Sequence, residues 1–149
     1  MGKRYSNELR EWSEQGPLVE PVGAIEIGMF GVMKAVVCTA WGPIEGLVIE
    51  DRESPDAGPG DVKIALRARG VSYTDVLKIA GTYQVKTEPP FIPGGEASGE
   101  IIGLGPEVEG LAVGDRVLCG GGFAEETVQP ADTVVRLPPD VDFRTAAAF

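Results

Sequence analysis

The strongest constraint on folding is the glycine-rich stretch from Pro93 to Leu118, PGGEASGEIIGLGPEVEGLAVGDRVL. Its glycines separate short apolar runs, and a glycine inside a strand is typical of a bend or of a close approach between backbones. Gly114 and Asp115 form a pair that is common in tight turns between paired strands. The stretch therefore predicts short antiparallel strands that are connected by turns.

The segment from Asp61 to Val71, DVKIALRARGV, alternates apolar and polar residues. Successive side chains of a strand point to opposite faces of the sheet, so this alternation collects the apolar residues on one face. The segment therefore predicts a half-buried strand. Its expected buried face consists of Val62, Ile64, Leu66 and Ala68.

Short apolar runs elsewhere, bounded by glycine and proline, predict further strands. The prolines and glycines between Ser54 and Gly60 predict a turn. A short helix is predicted at 74–80, where Gly81 ends it, and Asp142 is placed to cap another helix. Many short strands with little helix favour a mostly-β barrel over an alternating β/α sheet. The further strands are predicted at 34–39, 46–50, 97–104, 116–119, 123–128 and 133–137.

Composition limits the partners of this chain. Its 149 residues are 43% hydrophobic, which is enough for one domain with a core. There are 13 basic and 23 acidic side chains, so the net charge is −10. Such a negative surface repels phosphate backbones and anionic lipid headgroups. The sequence therefore argues against nucleic-acid and membrane partners.

The sequence also bears on the compartment. Cys38 and Cys119 each lie in an apolar run, where a small buried thiol is ordinary, and they give no sign of an oxidising environment. Glu26 interrupts the longest apolar stretch, Pro21 to Val37, which falls short of the roughly 20 residues that span a bilayer. The acidic character of residues 1–32 differs from that of a transit peptide. We therefore predict a cytoplasmic protein.

Four segments follow one another in a recognisable order: MKAVVCTAWG (33–42), GVSYTDVLKIAGTY (70–83), the stretch 93–118, and GGFAEETVQPADTVVRLPPDVDFRTAAAF (121–149). Together they resemble the N-terminal catalytic domain of the medium-chain dehydrogenase/reductase superfamily. The group that the chain resembles within it is the zinc-free, NADPH:quinone oxidoreductase-like one. The resemblance begins at Met33 and continues to Phe149.

This resemblance implies a mostly-β fold, namely a GroES-like, partly open β-barrel with short helices. It places an incomplete domain at 33–149 and implies that the chain ends before a Rossmann cofactor domain. Residues 1–32 do not match the family, so they are either an N-terminal extension that docks on the domain or a tail foreign to it. Within them, Leu9 and Trp12 are spaced for a short amphipathic helix at 6–15.

The chain contains no histidine. Zinc-dependent relatives have Cys at the position of Ser72 and His at that of Gly95, so the resemblance implies that no catalytic metal is bound here. The lack of histidine also excludes Ser-His and Cys-His nucleophile pairs within the chain. The GLG sequence at 103–105 does not continue as a phosphate-binding loop, because Pro106 obstructs the helix that such a loop requires.

In the quinone oxidoreductases, the matching segment after Gly70 lines the cleft where nicotinamide and substrate meet. The resemblance implies that Ser72, Tyr73, Thr74 and Asp75 border the nicotinamide of NADPH, and that Ser72 and Tyr83 are catalytic. A phenol is a neutral donor that can stabilise an oxyanion, whereas Ser72 replaces the asparagine usual in the family. Alternatively, Ser72 and Thr74 cap a helix and Tyr83 packs in the cleft wall.

The resemblance as a whole implies an NADPH-dependent oxidoreductase that transfers hydride to a quinone or to another conjugated carbonyl compound, such as an enone or enal. It further implies that the full-length protein is a homodimer and that the isolated chain is inactive. Two alternatives remain open from the residues. One is a non-catalytic GroES-like binding or assembly module, and the other is an inactive truncated gene product.

Overall fold

The computed structural model describes residues 31–149, so the helix predicted at 6–15 and the docking of the N-terminal segment lie outside the described residues. The described part contains seven strands, two α-helices and two short 3-10 helices at Ile44–Gly46 and Ala131–Thr133. The other elements are β1 (Val32–Val37), β2 (Val48–Glu53), β3 (Asp61–Arg69), α1 (Tyr73–Ile79), β4 (Glu96–Leu104), β5 (Arg116–Gly120), β6 (Glu126–Pro130), β7 (Val135–Arg136) and α2 (Phe143–Ala147).

Five strands form the main sheet in the order β6-β3-β4-β5-β7, and every neighbouring pair is antiparallel. The alternation in β3 produces most of the predicted buried face, because Val62, Ile64 and Leu66 are at most 1% exposed, whereas Ala68 near the end of the strand is only half-buried. They pack with Ile101 of β4 and Val117 of β5. Full burial of each such side chain contributes about 1.5–3 kcal/mol, so this cluster is the main source of stability in the sheet.

The glycines of the 93–118 stretch permit close backbone contacts. A Cβ on Gly99 would lie 2.2 Å from the carbonyl oxygen of Ala65, so only glycine lets β4 approach β3 this closely. The Gly-Asp pair lies in a tight turn as predicted, since Gly114 has φ +93° and the Asp115 amide donates to Ala112 O at 3.0 Å. That turn is only the end of a longer β4–β5 connection, rather than the whole of a hairpin.

Strands β1 and β2 pair antiparallel as a separate two-stranded sheet. β1 joins the rest of the domain through the Val36 amide, which donates to Phe123 O at 2.8 Å, and its buried face packs against Ala124 and Ile92. Neither sheet closes on itself within residues 31–149. The prediction of a mostly-β, partly open architecture with short helices is confirmed.

Several predicted boundaries were wrong by a few residues. The strand predicted at 46–50 begins at Val48, because residues 44–46 form a 3-10 helix. The strand predicted at 123–128 begins at Glu126, and the one predicted at 133–137 is only two residues long, since a second 3-10 helix precedes it. No helix within the described range is long and apolar enough to cross a bilayer.

Helix α2 confirms the predicted cap. Asp142 Oδ1 accepts a hydrogen bond from the Thr145 amide at 2.9 Å, and Asp142 Oδ2 accepts one from the Thr145 hydroxyl at 2.9 Å. These two hydrogen bonds lower the pKa of Asp142. Ala146 and Ala147 of α2 are buried, and the Ser98 hydroxyl of β4 donates to Phe143 O at 2.6 Å. α2 therefore packs on the main sheet near the end of β3, where the candidate site begins.

Candidate functional site

Three residues separate the end of β3 from the start of helix α1, and a carboxylate fixes the first turn of the helix. Asp75 Oδ2 accepts from the Ser72 amide at 2.8 Å and from the Ser72 hydroxyl at 3.2 Å. Asp75 is only 2% exposed, and its Oδ1 is buried with no hydrogen-bond partner in residues 31–149. The side chain is thus placed to orient Ser72 rather than to contact a ligand directly.

Two hydroxyl groups meet at the start of α1. Ser72 Oγ lies 2.6 Å from Thr74 Oγ1, and either atom can be the donor. Both side chains are half-buried. Ser72 therefore already has two internal partners, which supports its interpretation as a helix-capping residue, while a lone pair of each hydroxyl remains free to accept a bond.

The two candidate tyrosines differ in their surroundings. Tyr73 is 75% exposed at the first position of α1. Tyr83 is half-buried, and its backbone is fixed because the amides of Thr82 and Tyr83 donate to Leu77 O at 2.9 and 3.2 Å. Tyr83 is therefore held close to the helix, whereas Tyr73 extends into solvent.

One side chain beside Tyr83 was missed by the sequence interpretation. The ammonium group of Lys78 lies 5.7 Å from the centroid of the Tyr83 ring, within the range of a cation–π contact. Lys78 follows Thr74 by four residues and so shares its helix face, but this spacing does not indicate the contact with Tyr83 or the proximity to Gly95. Gly95 adjoins the same group, since a Cβ built on Gly95 would meet only Lys78 Nζ, at 4.0 Å.

A tryptophan holds the loop that carries Tyr83. A Cβ on Gly81, which has φ +70°, would lie 2.8 Å from Trp41 Cγ, so the indole packs directly on this glycine. Trp41 Nε1 donates to Thr87 O at 3.1 Å, and the Gly42 amide donates to Ile79 O at 3.0 Å. Trp41 thereby connects the end of α1 to the following loop, a role that no sequence pattern indicated.

The cysteines could suggest a metal site and the GLG sequence at 103–105 could suggest a phosphate site, but the structure supports neither interpretation. Among residues 31–149 there is no cluster of three or more metal-ligating side chains. Cys119 is buried, and burial raises the pKa of its thiol to about 11. A Cβ on Gly105 would lie 1.7 Å from Gly58 O, so the glycine at the end of the GLG sequence serves backbone packing rather than phosphate binding.

The site residues therefore fall into one group around α1. Ser72 is hydrogen-bonded to both Thr74 and Asp75, and Tyr83 lies beside Lys78, which is one turn further along the helix than Thr74. Tyr73 makes no side-chain hydrogen bond within residues 31–149 and shares only its place in the chain with the others. A surface of neutral hydroxyl donors and one ammonium group can hold a polar oxygen atom and supply a hydrogen bond to it.

Comparisons with known proteins identify the family of this fold. Residues 58–139 match the alcohol dehydrogenase GroES-like domain family. A quinone oxidoreductase-like protein 2 homolog of Nematostella vectensis is 42% identical over 121 residues, which cover 78% of this chain and 33% of that protein. The crystal structure of the human synaptic vesicle membrane protein VAT-1 homolog-like protein matches with a TM-score of 0.77 at 32% identity, and covers 79% of this chain and 39% of that one.

A mycobacterial protein solved in complex with NADPH is also similar, with a TM-score of 0.70, 33% identity, and coverage of 77% of this chain and 35% of that one. The fold and these matches define a domain of the medium-chain dehydrogenases/reductases. The chain belongs to the alcohol dehydrogenase GroES-like domain family, and the predicted similarity to its quinone oxidoreductase-like members is confirmed. The chain spans about a third of the length of the curated relatives it matches.

Proposed function

We propose that this chain is the catalytic-domain portion of a zinc-independent, NADPH-dependent oxidoreductase that transfers hydride to a quinone or to another conjugated carbonyl compound. The observation that carries the proposal is the group of neutral hydroxyl donors around α1 in a chain that has no histidine. The names of its relatives, and the NADPH complex of one of them, give it further support. We expect the whole protein to be a cytoplasmic homodimer whose partner is a small molecule.

We propose that the residues around α1 bind one end of NADPH. When bound, NADPH supplies a hydride from its nicotinamide ring. We propose that Ser72, Tyr73 and Thr74 border that ring with their hydroxyl groups, and that Asp75 acts through Ser72, to which it is bonded at 2.8 Å. The packed glycines at 103–105 do not fit a pyrophosphate, so we expect the isolated chain to be inactive.

Tyr83 is the donor that we propose for the acceptor oxygen. Its phenol extends further from the backbone than a serine hydroxyl, and it makes no hydrogen bond with residues 31–149 that a substrate would have to replace. The Ser72 hydroxyl, in contrast, is already bonded to Asp75 and lies close to Thr74. This difference favours Tyr83 over Ser72 as the main hydrogen-bond donor to the acceptor oxygen.

The second candidate is a non-catalytic GroES-like module or an inactive truncated product. The internal bonding of Ser72 favours it, because a helix-capping serine needs no substrate to explain it. A measurement of turnover separates the two functions. Turnover of a simple quinone with NADPH by a longer polypeptide that carries the cofactor domain would support the enzyme. Tight NADPH binding by residues 1–149 alone would contradict our expectation that the isolated chain lacks a pyrophosphate site.

The site assignment is tested by comparing Tyr83→Phe with Ser72→Ala in that longer polypeptide, with the isolated chain as the inactive control. Loss of a well-placed oxyanion donor costs about 2.7–4 kcal/mol, which lowers the rate by about 100 to 1000-fold. We expect a loss of that size in kcat/KM for Tyr83→Phe and a smaller one for Ser72→Ala. The reverse order would assign the donor role to Ser72, and wild-type rates in both variants would show that the loop is structural.

A further inference from the structure

Lys78 is a cation at the candidate site that takes part in no ion pair within residues 31–149. It lies on α1 and is half-buried, with its ammonium group 5.7 Å from the centroid of the Tyr83 ring. Residue 95 is a glycine without side-chain atoms, and a Cβ built there would meet only Lys78 Nζ, at 4.0 Å. Lys78 Nζ therefore lies between Gly95 and the ring of the phenol that we propose as a donor, and no other atom approaches a Cβ placed at residue 95 within 4 Å.

No carboxylate neutralises this charge in residues 31–149. The ion pairs there involve other cations, among them Lys34 with Asp51 at 2.8 Å and Lys63 with Glu126 at 3.1 Å. Lys78 takes part in none of these pairs and in no side-chain hydrogen bond of the described part. In a chain with net charge −10, a half-buried ammonium group that lacks a counterion is suited to hold an anionic oxygen.

The helix geometry aligns Lys78 with the other polar groups. Residues four positions apart lie on the same face of a helix, so Thr74 and Lys78 are neighbours along α1. Thr74 is in contact with the Ser72 hydroxyl at 2.6 Å, and Lys78 is in contact with Tyr83. One face of α1 thus presents a pair of hydroxyls at its start and an ammonium group beside a phenol at its end.

We propose that Lys78 is a further catalytic residue, whose ammonium group contacts the acceptor oxygen and stabilises the negative charge that develops there. This inference rests on the proposed function. The acceptor gains a hydride, with two electrons, from the reduced nicotinamide, which is thereby oxidised, and the electron pair of the acceptor's π system moves to its oxygen. Tyr83 then gives a proton to that oxygen, and water restores the phenol. A hydrogen bond from a charged donor is about twice as strong as one from a neutral donor. Lys78 and Tyr83 together therefore stabilise the negative oxygen more strongly than Tyr83 alone.

The first test uses the chain of 149 residues and two probes that differ in charge, 4-nitrophenolate and neutral nitrobenzene. NMR shifts of the Gly95 and Lys78 amides report the binding of each probe. We expect the wild-type chain to prefer the phenolate, and Lys78→Met to weaken phenolate binding by about tenfold while nitrobenzene binding is unchanged. Lys78→Arg should retain the preference, and Lys34→Met, which removes one exposed positive charge from β1, should bind as the wild type does.

The second test measures kcat and KM with a quinone in the longer polypeptide that carries the cofactor domain. Lys78→Met should lower kcat with little change in KM, because the charge that Lys78 stabilises is absent from the bound substrate and develops only during hydride transfer. Wild-type phenolate binding or wild-type kcat in Lys78→Met would overturn the inference, and so would a wild-type chain without phenolate preference. If the longer polypeptide reduces no acceptor, the proposed function and the catalytic role both fail, although a phenolate preference would still reveal an anion site.

Discussion

The five-stranded sheet and the segment around α1 are stabilised in different ways. In β3, Val62, Ile64 and Leu66 are at most 1% exposed and pack between neighbouring strands. In α1, only Asp75 and Ile79 of seven residues are buried. The sheet therefore depends on many apolar contacts that support one another, whereas the geometry of the candidate site depends on a few polar bonds.

The residues that stabilise the domain are therefore largely separate from those that form the candidate site. α1 is attached to the body mainly at its C-terminal end, through the buried Ile79 and the packing of Trp41 on Gly81. Its N-terminal end, where Ser72 lies, is fixed by one carboxylate. A change in the sheet should therefore lower the stability of the whole domain, while a change at the start of α1 should alter the local arrangement at a smaller cost.

The largest expected effect is that of Ile64→Ala in β3. Ile64 is 0% exposed, so the substitution leaves a cavity between β3 and its neighbours and should lower the free energy of unfolding by about 2–5 kcal/mol. Urea denaturation measures the change. The matched control is Ile49→Ala in β2, which removes the same atoms from a residue that is 73% exposed and should cost less than about 0.5 kcal/mol. Equal losses in the two variants would show that the main sheet is not the centre of stability.

The next effect is that of Asp75→Ala at the start of α1. The substitution removes the acceptor for the Ser72 amide and hydroxyl, so we expect a loss of about 1–2 kcal/mol, smaller than that of Ile64→Ala. The NMR signals of the Ser72 and Thr74 amides should shift while those of β4 remain in place. Asp56→Ala, which removes an exposed carboxylate from the loop between β2 and β3, should change neither quantity. Shifts that spread through the main sheet would mean that the two regions are not separable.

The same contrast explains how far the sequence predicts the fold. Strand β3 was predicted because a repeat of period two, fixed by backbone geometry, coincides with burial at Val62, Ile64 and Leu66. The boundary of β2 was less predictable, because a 3-10 helix at residues 44–46 depends on its tertiary surroundings and has no strong local pattern. Periodic features of the sequence thus translate into structure more directly than single turns do.

The candidate site was only partly predictable. Ser72 and Asp75 were found through the resemblance, and their spacing also fits the start of a helix. Lys78 and Trp41 were missed, because each gains its meaning from a residue that is distant in the chain, Gly95 for the one and Thr87 for the other. Long-range pairs of this kind leave no periodic signal in a single sequence. The roles of Ser72, Tyr73, Thr74, Asp75 and Tyr83 toward a ligand stay predictions.

The smallest expected effect concerns a charge at the border of the main sheet, in the turn before β5. The hydrogen bond from the Ala112 amide, followed by that from Arg136, lowers the pKa of Asp115 from its ordinary value of 3.8. Because the folded state holds the carboxylate at a lower pKa than the unfolded chain does, its contribution is present above about pH 4 and is lost as the pH falls through the folded pKa. The carboxylate is partly exposed, and salt screens it, so the contribution is small.

Asp115→Asn isolates that contribution, because asparagine can still accept the bond from the Ala112 amide but carries no charge. We expect the variant to unfold at a lower urea concentration than the wild type at about pH 6, and the difference to be smaller at about pH 3, because the carboxylate becomes protonated as the pH falls through its folded pKa. Asp56→Asn removes an exposed carboxylate from the loop between β2 and β3 and serves as the control. A difference that is equal at both pH values would mean that the Asp115 side chain acts by shape rather than by charge, and the turn would then resemble the apolar sheet more than the polar start of α1.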